Sequence, residues 1–243
     1  MPNRTAVVLE SQQNKGVGLA ISRMLARDGY KCLSGIDEEE LENTHDRVDP
    51  DVRSQIEQVD ISLDDRSSII TSVGEIAAEY GAIELLVINA NTEIRRSLSE
   101  IEPNDWSRVI HENLLGPFYA MQELVPHMKS SRNRRIILVL PGRSPEKDAG
   151  DELLSAASKG ALNGIINSLS RQIYPQISLN AVLPGHVIEG ADETTVRTRE
   201  QTNDPYKRRL KPQDVAEAVH YLARRTNKVT GQVLSLDSNR ELP

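Results

Sequence analysis

Short apolar segments rich in β-branched residues alternate along the chain with longer segments in which apolar residues recur at helical spacing. This alternation is typical of a parallel sheet with helices on both faces. Seven segments of strand length are bounded by turn residues. The predicted strands are Thr5–Glu10, Lys31–Gly35, Gln55–Asp60, Glu84–Asn89, Arg135–Leu140, Gln176–Leu183 and Gln232–Asp237.

The helical periodicity lies between these strands. The predicted helices are Val17–Arg27, Arg66–Tyr80, Asn104–Lys129, Leu154–Arg171 and Pro212–Arg224, with Asp64 and Asn104 as N-caps. Together the elements predict an α/β fold: a doubly wound, Rossmann-type seven-stranded parallel sheet in a single domain that spans residues 1–243. The segment 186–211 is polar and follows neither period, so we predict a mobile flap there.

Composition argues against several classes of function. The formal net charge of −7, from 29 basic and 36 acidic side chains, is spread along the chain without a basic stripe, which argues against nucleic-acid binding. The single Cys32 has no partner for an internal disulfide and no metal-ligand spacing around it. No signal-peptide pattern and no apolar run of about 20 residues is present. We therefore expect a cytoplasmic protein without a metal and outside the membrane.

The turn after the first strand is the first candidate for chemistry. Its sequence SQQNKGVG, at 11–18, stands between a strand and a helix, where dinucleotide-binding proteins place phosphate. It resembles the TGxxxGxG turn of the short-chain dehydrogenase/reductase family, with Gly16 and Gly18 in place but Gln12 at the first glycine. Gln12 adds bulk, and Glu10 adds negative charge where phosphate would lie. Alternatively, Gly16 and Gly18 persist only because the helix packs closely on the sheet.

The other cofactor contacts that the resemblance implies are incomplete. Gly35 ends the second strand where an acid would bind the adenosine ribose, and Asp37, which follows it, is equally a helix N-cap. Asp60 resembles the family's adenine-contacting aspartate. Asn89 matches the asparagine of the NNAG motif, although it would also serve to tie neighbouring strands together, and Asn91 replaces the motif's glycine.

The catalytic positions implied by the resemblance are Asn, Ser, Tyr and Lys. The segment SAASKGAL, at 155–162, resembles YSASKAAL, which aligns Lys159 and puts Ser155 at the tyrosine. A serine hydroxyl is shorter in reach and far less acidic than a phenol of pKa about 10. Pro141 or Gly142 stands where the serine should follow the fifth strand. Asn113 matches the asparagine, but we expect it to bond backbone at a helix irregularity, and we expect Lys159 to be solvated or ion-paired.

The last part of the chain keeps the family's pattern without its chemistry. NAVLPG at 180–185 resembles NAVxPG, and VTGQVLSLD at 229–237 resembles the family's closing strand. Glu189 replaces the threonine that would hold the nicotinamide amide, and the neighbouring His186 is more typical of a packing residue than of a substitute acid. The resemblance runs from Thr5 to Asp237, so the chain is similar to a degenerate member of the family.

A retained scaffold with a lost active site predicts a non-catalytic subunit. Members of the family assemble through the helices that follow the fourth and fifth strands and through the last strand, so we expect a heterotetramer with an active, NAD-dependent paralogue. We expect no cofactor in this chain itself. The pattern is similar to inactive subunits of heteromeric hydroxyacyl-CoA dehydrogenases, as in the benzylsuccinate pathway of anaerobic toluene degradation. Apolar residues at helical spacing serve core or interface: Leu114, Phe118, Met121, Leu124, Val125, Met128, Leu162, Ile165, Ile166 and Leu169.

Two alternatives remain open. An atypical NAD(P)-dependent oxidoreductase would use Ser144, Lys159 or His186 and would still need a cofactor pocket. A ligand-sensing module on the same fold would bind a small molecule without turnover. The basic segment 207–209 is more typical of a solvated face than of a site for a CoA phosphate.

Overall fold

A computed structural model of the chain describes residues 4–11, 16–35, 49–128, 134–142, 153–185, 187, 210–224 and 228–236. In this described part, seven parallel strands form one sheet in the order β3-β2-β1-β4-β5-β6-β7. The strands are β1 (Arg4–Glu10), β2 (Tyr30–Ser34), β3 (Ile56–Gln58), β4 (Ile83–Asn89), β5 (Arg134–Val139), β6 (Ile177–Leu183) and β7 (Val233–Ser235). The predicted doubly wound parallel sheet is therefore confirmed.

The described helices cross over both faces of this sheet. They are α1 (Val17–Arg27), α2 (Pro50–Ser54), α3 (Arg66–Tyr80), α4 (Pro103–Ile110), α5 (Gly116–Leu124), α6 (Leu153–Ile173) and α7 (Pro212–Ala223). The predicted continuous helix Asn104–Lys129 is wrong in its interior. A π-helical turn, His111–Leu115, separates α4 from α5, and a 3₁₀ turn, Val125–Met128, ends the segment.

Both predicted N-caps are also corrected. Asp65, rather than Asp64, caps α3, because its side chain accepts a hydrogen bond from the Ser67 N–H at 2.8 Å. Helix α4 begins at Pro103, which suits the first helical position because proline has no N–H group to satisfy. Asn104 is thus already inside the helix. The short helix α2 was missed, although an Asp-Pro pair is its sequence signal: Asp49 caps it by accepting from the Asp51 N–H.

Two apolar layers form the core, one on each face of the sheet. Ile69 of α3, Met121 of α5 and Ile166 of α6 lie in the first layer. Ile21 of α1 and Val219 of α7 lie in the second. The central strands β1, β4 and β5 are buried on both faces, which is why they read as nearly continuous apolar runs. The predicted strands at 55–60 and 232–237 are longer than the observed β3 and β7, because each pairs on one side only, at an edge of the sheet.

The order of the strands determines where a site can form. Strand β1 pairs with β2 on one side and with β4 on the other, so the crossovers from these central strands leave in opposite directions. A crevice forms at the carboxyl ends of the strands at such a switch point. The register places Glu10, the last residue of β1, beside Asn89, the last residue of β4.

The predicted flap at 186–211 lies almost wholly outside the described residues, and its mobility stays a prediction. Near its two ends, Val187 and Leu210 form an isolated parallel bridge. In the part of the chain that the structure describes, no helix is both long and apolar enough to cross a membrane.

We expect Ile166→Ala to lower the free energy of unfolding by about 2–5 kcal/mol, because it leaves a cavity in a core position that is 0% exposed. Phe118→Ala, at a ring that is 38% exposed, should cost less than about 1 kcal/mol in the isolated chain. Urea denaturation of the two variants measures both values. Equal losses would contradict this division between core and surface.

Candidate functional site

Two glycines shape the amino end of α1. Gly16 is the residue before the helix and has a φ of 100°, a left-handed conformation that favours glycine. Gly18 lies in the first turn, where a Cβ atom would come within 2.1 Å of the Glu10 Oε2 atom. Both glycines therefore have a local structural reason to be there. For Gly18 this supports the interpretation that it serves close packing of the helix on the sheet, whereas Gly16 is explained by its backbone conformation.

The Glu10 carboxylate lies in the crevice between β1, β4 and α1. Its side chain is buried, and Oε1 accepts hydrogen bonds from the Gly18 N–H at 3.0 Å and from Asn89 Nδ2 at 2.6 Å. The same strand ends are joined by the Ser11 N–H, which donates to the Asn89 carbonyl at 3.1 Å, and by the Asn91 N–H, which donates to the Ser11 hydroxyl at 3.2 Å. Asn89 thus ties neighbouring strands together.

The described ends of β2 and β3 add little to this crevice. Ser34 Oγ lies 3.1 Å from Ser22 Oγ of α1, and both side chains are fully buried. The Gly35 N–H donates to the Val8 carbonyl at 2.9 Å, and a Cβ atom at Gly35 would meet the Ile61 side chain at 3.0 Å. Asp60 is exposed beyond the end of β3. The end of β2 therefore presents a buried pair of hydroxyls at the place where the resemblance implies a ribose-binding acid.

Asn113 holds the loop after β4 in place. Its Oδ1 accepts from the Thr92 N–H at 2.7 Å, and its Nδ2 donates to the Thr92 carbonyl at 2.8 Å. Both residues are fully buried, and Asn113 lies in the π-helical turn between α4 and α5. The side chain thus bonds backbone at a helix irregularity, which is the contact expected from the sequence.

The other candidate catalytic positions lie close to Asn113. Its Nδ2 is 3.5 Å from the Ser158 hydroxyl, which donates to the backbone carbonyl of Ser155 one turn earlier in α6. Lys159 Nζ donates to the Gly142 carbonyl, just past β5, at 3.4 Å. The structure therefore brings Asn113, Ser155, Lys159 and the 141–142 turn together at one end of the sheet.

The turn after β5 has little room for a serine. A Cβ atom at Gly142 would lie 2.8 Å from the backbone carbonyl oxygen of Gly185, so a side chain there requires the backbone to shift. Pro141 carries no hydroxyl. The gathered groups are hydroxyl, amide and ammonium, and none of them is the acidic phenol that the resemblance implies as proton donor.

Several candidates fall outside the described residues: Gln12, Asp37, Ser144, His186 and Glu189. Among the described residues, no group of three or more His, Cys, Asp or Glu is placed to hold a metal ion. Burial raises the pKa of the Cys32 thiol to about 12, so it stays protonated and unreactive at neutral pH.

Two polar contacts were missed from the sequence. The Thr92 hydroxyl donates to Glu112, whose other carboxylate oxygen accepts from Arg108 Nε at 2.9 Å. The four-residue spacing of Arg108 and Glu112 on a helix was the available signal. Asn180 of NAVLPG donates to the Val229 carbonyl at 2.8 Å and accepts from the Gln232 N–H at 3.1 Å, which joins two motifs that are distant in sequence.

A family model described as short chain dehydrogenase matches residues 6–200 of this chain. The chain belongs to the short-chain dehydrogenase family. It is 28% identical over 228 residues to the 3-oxoacyl-[acyl-carrier-protein] reductase FabG of Thermotoga maritima, which covers 91% of this chain and 92% of that protein. It is also 28% identical over 239 residues to the cis-4-hydroxycyclohexanecarboxylate dehydrogenase of Sinomonas cyclohexanicum, with 96% and 95% covered.

Solved structures of short-chain dehydrogenases share the fold over nearly the whole chain. ElxO with NADP bound superposes with a TM-score of 0.80 at 21% identity, covering 96% of this chain and 97% of that one. A short-chain dehydrogenase/reductase from Brucella melitensis superposes with a TM-score of 0.79 at 25% identity, covering 98% and 96%.

The residues at the amino end of α1 do not fit the NAD(P) that the family implies. A dinucleotide places its anionic pyrophosphate at this helix end, where first-turn N–H groups have no partner within the helix. In this chain, the Gly18 N–H donates to Glu10, and the buried carboxylate puts negative charge at the same end. Like charges repel strongly where water is excluded. The described residues at this helix end therefore disfavour a bound pyrophosphate.

We expect Asn113→Ala to lower the free energy of unfolding by about 1–3 kcal/mol, because it leaves two buried backbone groups of Thr92 without their partner. Asn113→Asp should cost more, since its carboxylate would face the Thr92 carbonyl and bury a charge. Asn163→Ala, on the exposed side of α6, is the matched control and should be near neutral. Urea titrations measure all three, and a stable Asn113→Ala protein would exclude the structural role.

Proposed function

We propose that this chain is a non-catalytic short-chain dehydrogenase subunit that assembles with an active, NAD-dependent paralogue. The paralogue oxidises a secondary alcohol, and the similarity to inactive subunits of the benzylsuccinate pathway points to a hydroxyacyl-CoA. The observation that carries the proposal is Ser155, which by its spacing of four residues before Lys159 resembles the position of the family's catalytic tyrosine. Asn113 Nδ2 lies 3.5 Å from the Ser158 hydroxyl on the same helix.

Serine at this position cannot replace the phenol. The Ser155 side chain is 5% exposed and projects from the first turn of α6, and its hydroxyl is several ångströms shorter in reach than a tyrosine. A catalytic lysine would lower the pKa of the phenol, but here Lys159 Nζ donates to the Gly142 backbone carbonyl. Neither group is suited to exchanging a proton with a substrate alcohol.

The retained scaffold supports an assembly function. Phe118 on α5 and Trp106 on α4 are each 38% exposed, on the helices that the family uses for assembly. Leu114, Ile165 and Leu169 are half-buried around the core. Ile166, once a candidate for an interface contact, is a core residue, as are Met121, Leu124, Met128 and Leu162, because their side chains are enclosed by the sheet and the neighbouring helices. The proposed interface therefore centres on Phe118 and Trp106.

The comparisons favour a second candidate, an atypical NAD(P)-dependent oxidoreductase. The relatives over more than nine-tenths of this chain are named as reductases and dehydrogenases. This candidate requires that the isolated chain transfers hydride by some other set of groups. Turnover of NAD(P) by the isolated chain therefore separates the two proposals.

We expect the tagged chain, purified from its native source, to bring down one active short-chain dehydrogenase in equal amount. Native mass spectrometry should then give a two-plus-two heterotetramer. A folded homo-oligomer, with no second subunit and no effect on any dehydrogenase, would instead favour a ligand-sensing module.

Within this assembly, Phe118→Asp should break the complex and reduce its dehydrogenase activity, because a charge would be buried at an apolar contact. Ile70→Asp is the matched control, since Ile70 is 48% exposed on α3, outside the proposed interface. Circular dichroism confirms that both variants fold. Equal assembly of both would exclude Phe118 as an interface residue.

The double variant Ser155→Tyr, Pro141→Ser should remain without detectable hydride transfer as an isolated chain. The two changes restore a phenol and a hydroxyl but leave the phosphate-binding turn unchanged. Stopped-flow absorbance of NADH formation, with a panel of secondary alcohols, measures this. NAD-dependent oxidation by the double variant alone would show that cofactor binding had not been lost separately from the catalytic groups.

A further inference from the structure

Glu10 lies at the point of the fold where a dinucleotide-binding protein needs an anion. It is the last residue of β1, its neighbour across the sheet is Asn89 of β4, and its side chain is directed at the first turn of α1. Only 7% of the residue is exposed. A carboxylate is rarely buried so completely unless hydrogen-bond donors surround it.

The donors around Glu10 are those of a phosphate site. First-turn N–H groups of a helix lack partners within the helix, and the helix dipole favours negative charge there. Oε1 of Glu10 accepts from one of these groups, the Gly18 N–H at 3.0 Å, and from Asn89 Nδ2 at 2.6 Å. The carboxylate thus satisfies the helix end and the switch-point asparagine together.

We propose that the Glu10 carboxylate is the resident anion of this dinucleotide-binding turn. It takes the place of the cofactor phosphate at the amino end of α1, excludes a dinucleotide by its charge, and joins β1, β4 and α1 when no nucleotide is present. The proposal deepens the proposed function, on which it rests for its biological purpose: the subunit reaches its assembly-competent structure whether or not NAD is available.

Steric contact supports the electrostatic argument. A Cβ atom on Gly18 would lie 2.1 Å from Oε2 and 2.7 Å from the carboxylate carbon of Glu10, so the carboxylate packs directly against the α1 backbone. A side chain at position 18 would therefore require the Glu10 carboxylate to move. A phosphate that approached the same helix end would meet a negative charge already within hydrogen-bond distance of its donor. Because Glu10 is only 7% exposed, solvent screens this charge little.

The test compares Gln12→Gly with the double variant Glu10→Ala, Gln12→Gly, because glycine at position 12 restores the family's first glycine in both. Calorimetry with NAD and the isolated chain should show no binding to the wild type or to Gln12→Gly. The double variant should bind NAD measurably, at least about tenfold more tightly than the detection limit of the titration. Equal affinity of the two variants, or no binding by either, would overturn the proposal.

Thermal unfolding gives a second readout. The double variant Glu10→Ala, Gln12→Gly should have a lower melting temperature than Gln12→Gly, since the Gly18 N–H and Asn89 Nδ2 lose their acceptor. Inorganic pyrophosphate should raise the melting temperature of the double variant and leave that of Gln12→Gly unchanged. If the alanine variant fails to fold, Glu10→Gln, Gln12→Gly replaces it, because glutamine keeps the side-chain length and an acceptor oxygen while removing the charge. For that variant the NAD affinity is the criterion, since its acceptor oxygen remains and no loss of melting temperature is expected.

These outcomes are separate from those of the proposed function. A partner that copurifies with the wild type, while the Glu10 variants gain no NAD binding, supports the subunit and refutes the resident anion. Gain of NAD binding by the Glu10 variants, in a chain that recruits no dehydrogenase, supports the resident anion and refutes the subunit proposal.

Discussion

The contact between Glu10, the Gly18 N–H and Asn89 Nδ2 joins the three elements on which the functional end of this molecule depends. In a parallel sheet, the carboxyl ends of the strands meet at one edge, and β1 and β4 are neighbours there because the crossovers leave in opposite directions. Helix α1 begins at the same place, and the N–H groups of its first turn need acceptors. The buried Glu10 carboxylate supplies one.

Residues that belong to the family's signatures are held here by structural contacts. Gly16 adopts a left-handed conformation, Asn113 bonds both backbone groups of Thr92, and Asn180 joins β6 to the segment before β7. Such contacts are independent of cofactor and substrate. They give each of these residues a structural role within the chain.

The apolar side chains also divide into enclosed core residues and partly exposed surface residues. The side chains that fill the two layers around the sheet are enclosed, and their substitution would affect folding before it affected any partner. Phe118 and Trp106 lie on the outer side of α5 and α4 and are free of that constraint. The proposed assembly function places its subunit contact at these partly exposed rings.

The sequence by itself determined the fold class, the strand segments and the serine at position 155, because periodicity and residue type are local properties. It also raised the negative charge of Glu10 as an obstacle to phosphate. Only the tertiary structure decided that this carboxylate bonds Gly18 and Asn89, that Ile166 is core while Phe118 is exposed, and that a side chain at Gly142 would meet the Gly185 carbonyl. Each depends on segments far apart in the chain, whose separation and orientation are set by packing across the sheet.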